Sequence, residues 1–214
     1  HDMSLSAKQL ILQEIQAIGK LTFAKFMDLA LFAPDEGYYT SGGKVAPSVD
    51  YFTSPQAHPL FGALLYLQLE QMWNLLERPH PFTVLELGGG NGLLARDILI
   101  AAADSNAPFS TSLQYIVVER QEGMLLQSAH DLGAYKVTTN RLPFRRMVGC
   151  IISNELLDAF PVHRFRIHSG QVQELYVGLD GNGALIEVAG IPSTPLLAQR
   201  LKDLGIRLKD GFVG

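Results

Sequence analysis

Four glycines fall between residues 88 and 92 in VLELGGGNGLLARDIL (84–99), after an apolar run and before a stretch of helical periodicity. A turn from a parallel strand into a helix presents free backbone N–H groups at the positive end of the helix dipole. Glycine there lets a ligand approach the backbone closely. Such a turn suits an anionic or nucleoside-bearing ligand, and two registers of the same letters compete for it. Gly90-x-Gly92-x-x-Ala95 fits the dinucleotide fingerprint, whereas Glu86-x-Gly88-x-Gly90-x-Gly92 fits the pattern of enzymes that use S-adenosylmethionine (SAM). Glu86 separates the two. A carboxylate at the end of the first strand repels a pyrophosphate and favours the cationic methionine part of SAM. Glu119 ends the next apolar run, LQYIVVE (113–119), where it can hydrogen-bond both hydroxyls of a ribose under either reading.

A second constellation lies in SNELLDAFPV (153–162), where Asn154, Glu155 and Asp158 follow the apolar segment CIIS. Ligands of open α/β folds bind at the carboxyl ends of strands, so polar residues arriving there together are candidates for chemistry. The structural alternative is helix capping by Ser153 or Asn154. Other chemistries have less support: His58, His163 and His168 lack a metal-ligand spacing, and Gly-x-Ser-x-Gly is absent.

The elements that must position these residues alternate between strand and helix. The spacing predicts two helices over 5–32, a strongly apolar helix over 61–76, then strands at 82–87, 113–119, 135–139 and 148–153. Helices are expected at 92–103 and 123–132. Such alternation implies a parallel sheet covered by helices. From Val162 the texture changes to alternating strands around the turn DGNG, a hairpin signal, followed by a helix over 194–204. Between Ala33 and Pro59 the chain is dense in Gly, Pro, Ser and Tyr, a length and composition typical of functional loops. The expected division is therefore 1–81, N-terminal helices and a Gly/Pro/Tyr-rich lid; 82–161, a Rossmann-like core; and 162–214, a hairpin insertion with a helix.

Composition narrows the classes. The 214 residues are 47% hydrophobic and 18% charged with a net charge of -4, enough for a sizeable core. Beyond Arg145-Arg146 no basic cluster supports a nucleic-acid partner. No apolar run reaches the roughly 18 residues of a membrane span. The single Cys150, in the apolar run MVGCIIS, reads as a small core residue, and the chain lacks a secretory or transit pattern. A bacterial-type cytoplasmic setting is expected, or the mitochondrial matrix for a eukaryotic source.

GYYTSGG (37–43), DYFTSPQ (50–56), LFG (60–62), ELGGGNG (86–92) and NELLDAFPV (154–162), in this order and spacing, resemble one family of SAM-dependent methyltransferases. It is the family that includes the mitochondrial complex I assembly-factor arginine methyltransferase and its bacterial relatives. The resemblance spans about Leu21 to Val162. It implies a class I, Rossmann-like α/β fold, SAM as cofactor and, from the mitochondrial member, methyl transfer to a protein arginine, with a respiratory complex I subunit as a candidate substrate. It also implies that Gly88, Gly90 and Gly92 line the methionine moiety, with Glu86 beside them, and that Glu119 holds the ribose. Tyr38-Tyr39 and Thr53-Ser54-Pro55 would fold over the cofactor at the substrate entrance. An arginine guanidinium is always charged and needs a bidentate carboxylate to present one nitrogen. Glu155 is the first candidate for that clamp and Asp158 the second, with Asn154 beside them. Two departures stand out. Gln56 occupies a position that often carries Glu, and only four of the usual seven strands precede the hairpin. CIIS would then form an exposed edge, a hazard natural domains avoid, so the expectation is the N-terminal part of a longer protein. The competing readings are an NAD-dependent oxidoreductase, supported by Gly90-Gly92-Ala95, and a non-catalytic SAM-binding scaffold.

Overall fold

The computed structural model describes residues 6–40, 58–120 and 125–214. The chain divides into two compact units, Pro47–Asp158 and His1–Ala46 with Ala159–Gly214.

The first unit is the α/β one. Helix α3 (Leu60–Leu75) precedes β2 (Phe82–Leu87), α4 (Leu93–Ser105), the short α5 (Pro108–Ser112), β3 (Leu113–Glu119), α6 (Gln127–Asp131), β4 (Tyr135–Thr138) and β5 (Gly149–Ser153). All four strands are parallel, in the order β4-β3-β2-β5. Because β2 and β3 are buried on both faces, they are apolar without alternation. On one face Val84, Tyr115 and Val117 join Tyr66, Leu69 and Trp73 of α3, Leu94 and Ile98 of α4, and Phe109 of α5. On the other face Leu85, Ile116 and Val118 form a smaller cluster. The helices α3 and α4 meet where Gly62 leaves room for Asp97: a Cβ at 62 would lie 2.5 Å from that of Asp97.

The second unit is built on antiparallel pairing. Helix α1 (Ala7–Ile18) starts at a capping box in which Ser6 Oγ accepts from the Gln9 N–H and Gln9 Oε1 accepts from the Ser6 N–H. The two-residue β1 (Leu21–Thr22) and α2 (Phe23–Phe32) follow. Strands β6 (Arg164–His168), β7 (Gln171–Leu179) and β8 (Leu185–Gly190) form the hairpins, and α7 (Leu196–Asp203) comes after them. β7 pairs with β6, β8 and β1, so the N-terminal segment is stitched to the hairpin sheet. Ile11, Ile15 and Leu21 pack with Val177 and Leu179 to close this core. Residues 212–214 pair along β6 through the Gly214, Phe212 and Phe165 backbones.

The α/β class, the parallel order and the strand positions agree with the sequence reading; four details differ. The expected boundary at 81/82 is not where the units divide, because α3 packs on α4 and the parallel sheet while α1 and α2 belong with the hairpin. Of the helix expected over 123–132, Gln127–Asp131 is helical and Leu126, at φ -51° and ψ 134°, stands outside it as the N-cap; residues 121–124 lie outside the described residues. β1 and α5 are too short for periodicity to reveal. Cys150 is half-buried rather than fully enclosed, because β5 is an edge of its sheet.

Candidate functional site

The order β4-β3-β2-β5 means that the chain steps from β2 to β3 and β4 in one direction, then returns to the other side of β2 for β5. At such a switch point the loops leaving the two neighbouring strands diverge and open a crevice at their carboxyl ends. The register pairs Leu87 with Ser153, so the glycine turn and the segment 154–158 leave the sheet side by side. Leu156 closes the lower part of this gap: its Cδ1 lies 2.7 Å from where a Gly88 Cβ would be. The sequence reading brought neither Leu156 nor this contact forward, because an apolar residue between two carboxylates carries no chemical signal.

Backbone hydrogen bonds set the turn. The Gly88 N–H donates to Val118 O at 2.8 Å and the Gly92 N–H to Gly89 O at 2.8 Å. Gly92, at φ 80°, begins α4 in the left-handed region where glycine is unstrained. A Cβ at Gly90 would meet nothing within 4 Å, so the outer side of the turn is open to close approach. Glu119 leaves β3 beside the turn. Its Oε2 accepts from the Gly90 N–H at 3.0 Å and its Oε1 from the Arg120 N–H at 2.7 Å. The carboxylate expected to hold a ribose thus already reaches one N–H of the loop expected to hold the rest of the ligand, that of Gly90.

Glu86 is placed differently from a group facing ligand directly. It is 3% exposed, on the sheet face that carries the apolar cluster, and its Oε2 accepts from the Tyr115 hydroxyl at 3.0 Å. Burial pushes its carboxyl up to about 7, opposed by the Tyr115 hydrogen bond and assisted by the charge of Glu119. Burial and the neighbouring Glu86 hold the Tyr115 hydroxyl well above the usual phenol range, so it remains a donor. Gly89 fits between these groups and the turn: a Cβ there would lie 2.7 Å from the Glu86 carboxyl carbon and 2.7 Å from Val117 Cγ1. Glu86 therefore acts on the turn from beneath. Tyr115 was hidden from sequence reasoning inside an apolar strand, and Gly89 inside a glycine run whose spacing emphasises its neighbours.

In the acidic segment, Asn154 is half-buried, Glu155 and Asp158 are exposed, and Asp158 sits in a single 3-10 turn, Leu157–Ala159. Glu155 adopts φ 49°, a strained conformation for a residue with a Cβ and one that concentrates at functional sites. Tyr39 belongs to the other unit, where it stacks on Phe32 at 5.5 Å and meets Tyr38 edge-on at 5.0 Å. Thr53, Ser54, Pro55 and Gln56 lie outside the described residues. Among the described residues no cluster of His, Cys, Asp and Glu could hold a metal ion, and no helix is long and apolar enough to cross a membrane.

A glycine turn, a strand-end carboxylate beside it and an acidic segment across a switch point define a nucleoside-cofactor site of the Rossmann type. Residues 64–213 match the family described as "Putative S-adenosyl-L-methionine-dependent methyltransferase", and the chain belongs to that family. Among curated proteins it is similar to the Drosophila melanogaster "Protein arginine methyltransferase NDUFAF7 homolog, mitochondrial", at 27% identity over 80% of this chain and 44% of the relative. The Mus musculus protein of the same name without "homolog" is 25% identical over 79% of this chain and 45% of its own length. The chain thus spans less than half the length of these relatives. Among solved structures, a Burkholderia thailandensis protein bound to S-adenosyl-homocysteine superposes with a TM-score of 0.74 at 25% identity, covering 97% of this chain and 56% of that one. A second crystal structure from the same organism and superfamily gives 0.73 at 27% identity, covering 97% and 53%. The cofactor of the family is SAM, in line with the Glu86-x-Gly88-x-Gly90-x-Gly92 register of the glycine motif.

Proposed function

We propose that this chain carries the SAM site of a methyltransferase whose acceptor is a protein side chain, with the arginine guanidinium favoured. The observation that carries the reading is the convergence of the glycine turn, Glu119 and residues 154–158 on the carboxyl ends of three adjacent strands. The residues present fit the cofactor. The Gly90 side of the turn admits close approach, and Glu119 offers two carboxylate oxygens at the height where a ribose would meet β3. Bound SAM would supply a methyl group on a cationic sulfur, a leaving group that requires no acid from the protein.

The chain's own task is alignment, which is worth several orders of magnitude in rate when a nucleophile is held in line with its target. Glu155 and Asp158 would neutralise and orient an arriving guanidinium, and the carboxylate fork favours one nitrogen as its proton leaves. The names of the curated relatives, arginine methyltransferases at about a quarter identity, support the acceptor class. By the family resemblance a respiratory complex I subunit is a candidate substrate, and the mitochondrial names of those relatives support a mitochondrial location for a eukaryotic homologue, with the matrix as the expected compartment.

The test pairs two measurements. Calorimetric titration with SAM, with NADH as control, is expected to give saturable binding of SAM alone; binding of NADH instead would overturn the cofactor reading. Transfer of labelled methyl from SAM to arginine-containing protein is then compared between wild type and Glu155→Gln in the full-length protein. The variant should bind SAM normally and lose at least about a hundredfold in rate, the scale expected when a transition-state contact is removed. Unchanged methylation would remove Glu155 from the clamp, and SAM binding with no transfer to any protein would favour a scaffold.

A further inference from the structure

A buried carboxyl on an apolar sheet face needs an explanation, because Gln or an aliphatic residue would fill the space at lower cost. Glu86 shares its face with Val84, Tyr115 and Val117, and is almost wholly enclosed. One hydroxyl donates to it: Tyr115 is 1% exposed and comes from the neighbouring strand at 3.0 Å. Above it, Gly89 has no Cβ, and one placed there would lie 3.0 Å from the same Glu86 Oε2 that Tyr115 binds. A single carboxylate oxygen is therefore held between a buried phenol and the backbone of the cofactor turn. We propose that Tyr115 is a positioning residue of the cofactor site, holding the Glu86 carboxylate under Gly89 so that its charge distinguishes the sulfonium of SAM from the neutral thioether of the product. The proposal rests on the SAM reading above.

The physical step is electrostatic. SAM and S-adenosyl-homocysteine share the adenosine and the amino-acid portion and differ in one methyl group and one positive charge at sulfur. A fixed negative charge behind a thin turn, in a region of low dielectric, favours the charged member of that pair. Only the ionised form of Glu86 does so. Its carboxyl, raised to about 7 mainly by burial, passes from mostly protonated to mostly ionised between pH 6 and pH 8. The titratable and charged groups around it are few. β3 presents Tyr115 and Glu119, and β5 presents Cys150, whose thiol burial pushes up and keeps protonated. On α4 Asp97, whose Cβ packs beside Gly62 of α3, forms an ion pair with Arg96 at 2.7 Å. Preference for substrate over product should therefore increase with pH across neutrality.

The experiment is calorimetric titration of the wild-type chain, Glu86→Gln and Tyr115→Phe with SAM and with S-adenosyl-homocysteine, from pH 6 to pH 8.5. The ligands' own ammonium groups also titrate, so the quantity read is the ratio of the two affinities divided by the same ratio in Glu86→Gln. In wild type this double ratio should rise about threefold to tenfold with pH, the size of a partly screened charge–charge effect. Loss of the Tyr115 donor removes a hydrogen bond to the ionised form, and the midpoint should move up by about one pH unit. A purely structural Tyr115 would weaken both ligands without moving that midpoint. If Tyr115→Phe fails to fold, 3-fluorotyrosine at 115, nearly isosteric and a stronger donor, should move the midpoint down. A double ratio flat in pH, or a midpoint insensitive to residue 115, overturns the inference while leaving SAM binding intact. Failure of both ligands to bind wild type overturns the cofactor reading itself.

Discussion

At Gly89 a single added methyl group has nowhere to go. An Ala side chain would overlap both the Glu86 carboxyl carbon and Val117 Cγ1, each 2.7 Å from its Cβ; the first is buried and held by the Tyr115 hydroxyl, and the second belongs to a fully buried β-branched side chain. Overpacking of this kind costs about 1–3 kcal/mol. At Gly90 the balance is reversed: space is open, but φ is 55°, which costs an L-residue roughly 1–2 kcal/mol. Gly89→Ala should consequently weaken SAM binding at least tenfold by pushing on the group beneath the turn. Gly90→Asn, whose side chain tolerates a left-handed backbone, should retain the fold and keep a melting temperature within a few degrees of wild type. Calorimetry and thermal melts on the two variants check this, and a Gly89→Ala variant that is as stable as Gly90→Asn and binds SAM as wild type does would contradict the placement of Glu86.

The element that most repays a close look is α5, five residues long between α4 and β3. Phe109 is fully buried, with ring centroids 5.5 Å from Tyr66, 5.4 Å from Trp73 and 5.4 Å from Phe82. It joins α3 to the start of β2 and closes the bottom of the sheet opposite the site. Phe109→Ala should cost about 3–5 kcal/mol, the usual range for a buried aromatic, and a denaturant melt showing less than 1 kcal/mol would mean the cluster is not closed there. Nothing in PFSTS signals this role, since one aromatic in five residues has no period. Longer elements were legible because burial on both faces writes itself as continuous apolar runs: Phe82–Leu87 and Leu113–Glu119 fall on the residues the sequence indicates. Pairing of Leu21–Thr22 with β7 was not legible, because a two-residue strand is fixed by a partner more than 150 positions away. Within the site, the polar members Glu86, Glu119, Glu155 and Asp158 stood out by residue type, whereas Tyr115, Gly89 and Leu156 gain their roles only through packing.

For the whole molecule, each unit contains a buried glutamate, and the two respond to pH in opposite directions. Glu174 on β7 is fully buried; its oxygens accept from His163 Nδ1 at 2.7 Å and from the Ser193 N–H at 2.5 Å. Burial alone would raise its carboxyl, but the Ser193 and His163 hydrogen bonds outweigh burial and hold it below the usual 4.5. A depressed carboxyl gives stability that is present above its unfolded value and lost as pH falls through its folded one, so this contribution disappears in acid. Glu86 behaves in the opposite sense: its folded value near 7 lies above the unfolded 4.5, so its contribution is full below 4.5 and declines as pH rises to about 7. A shift of that size corresponds to on the order of 3 kcal/mol. Thermal melts from pH 3 to pH 8.5 should therefore show an acid-side loss that Glu174→Gln flattens and a neutral-side decline that Glu86→Gln flattens. Each substitution should leave the other limb in place, because the two carboxyls belong to different compact units. A neutral-side decline that persists unchanged in Glu86→Gln would show that the carboxyl beneath the glycine turn is already ionised at pH 5, and would remove the pH dependence expected of the SAM preference along with it.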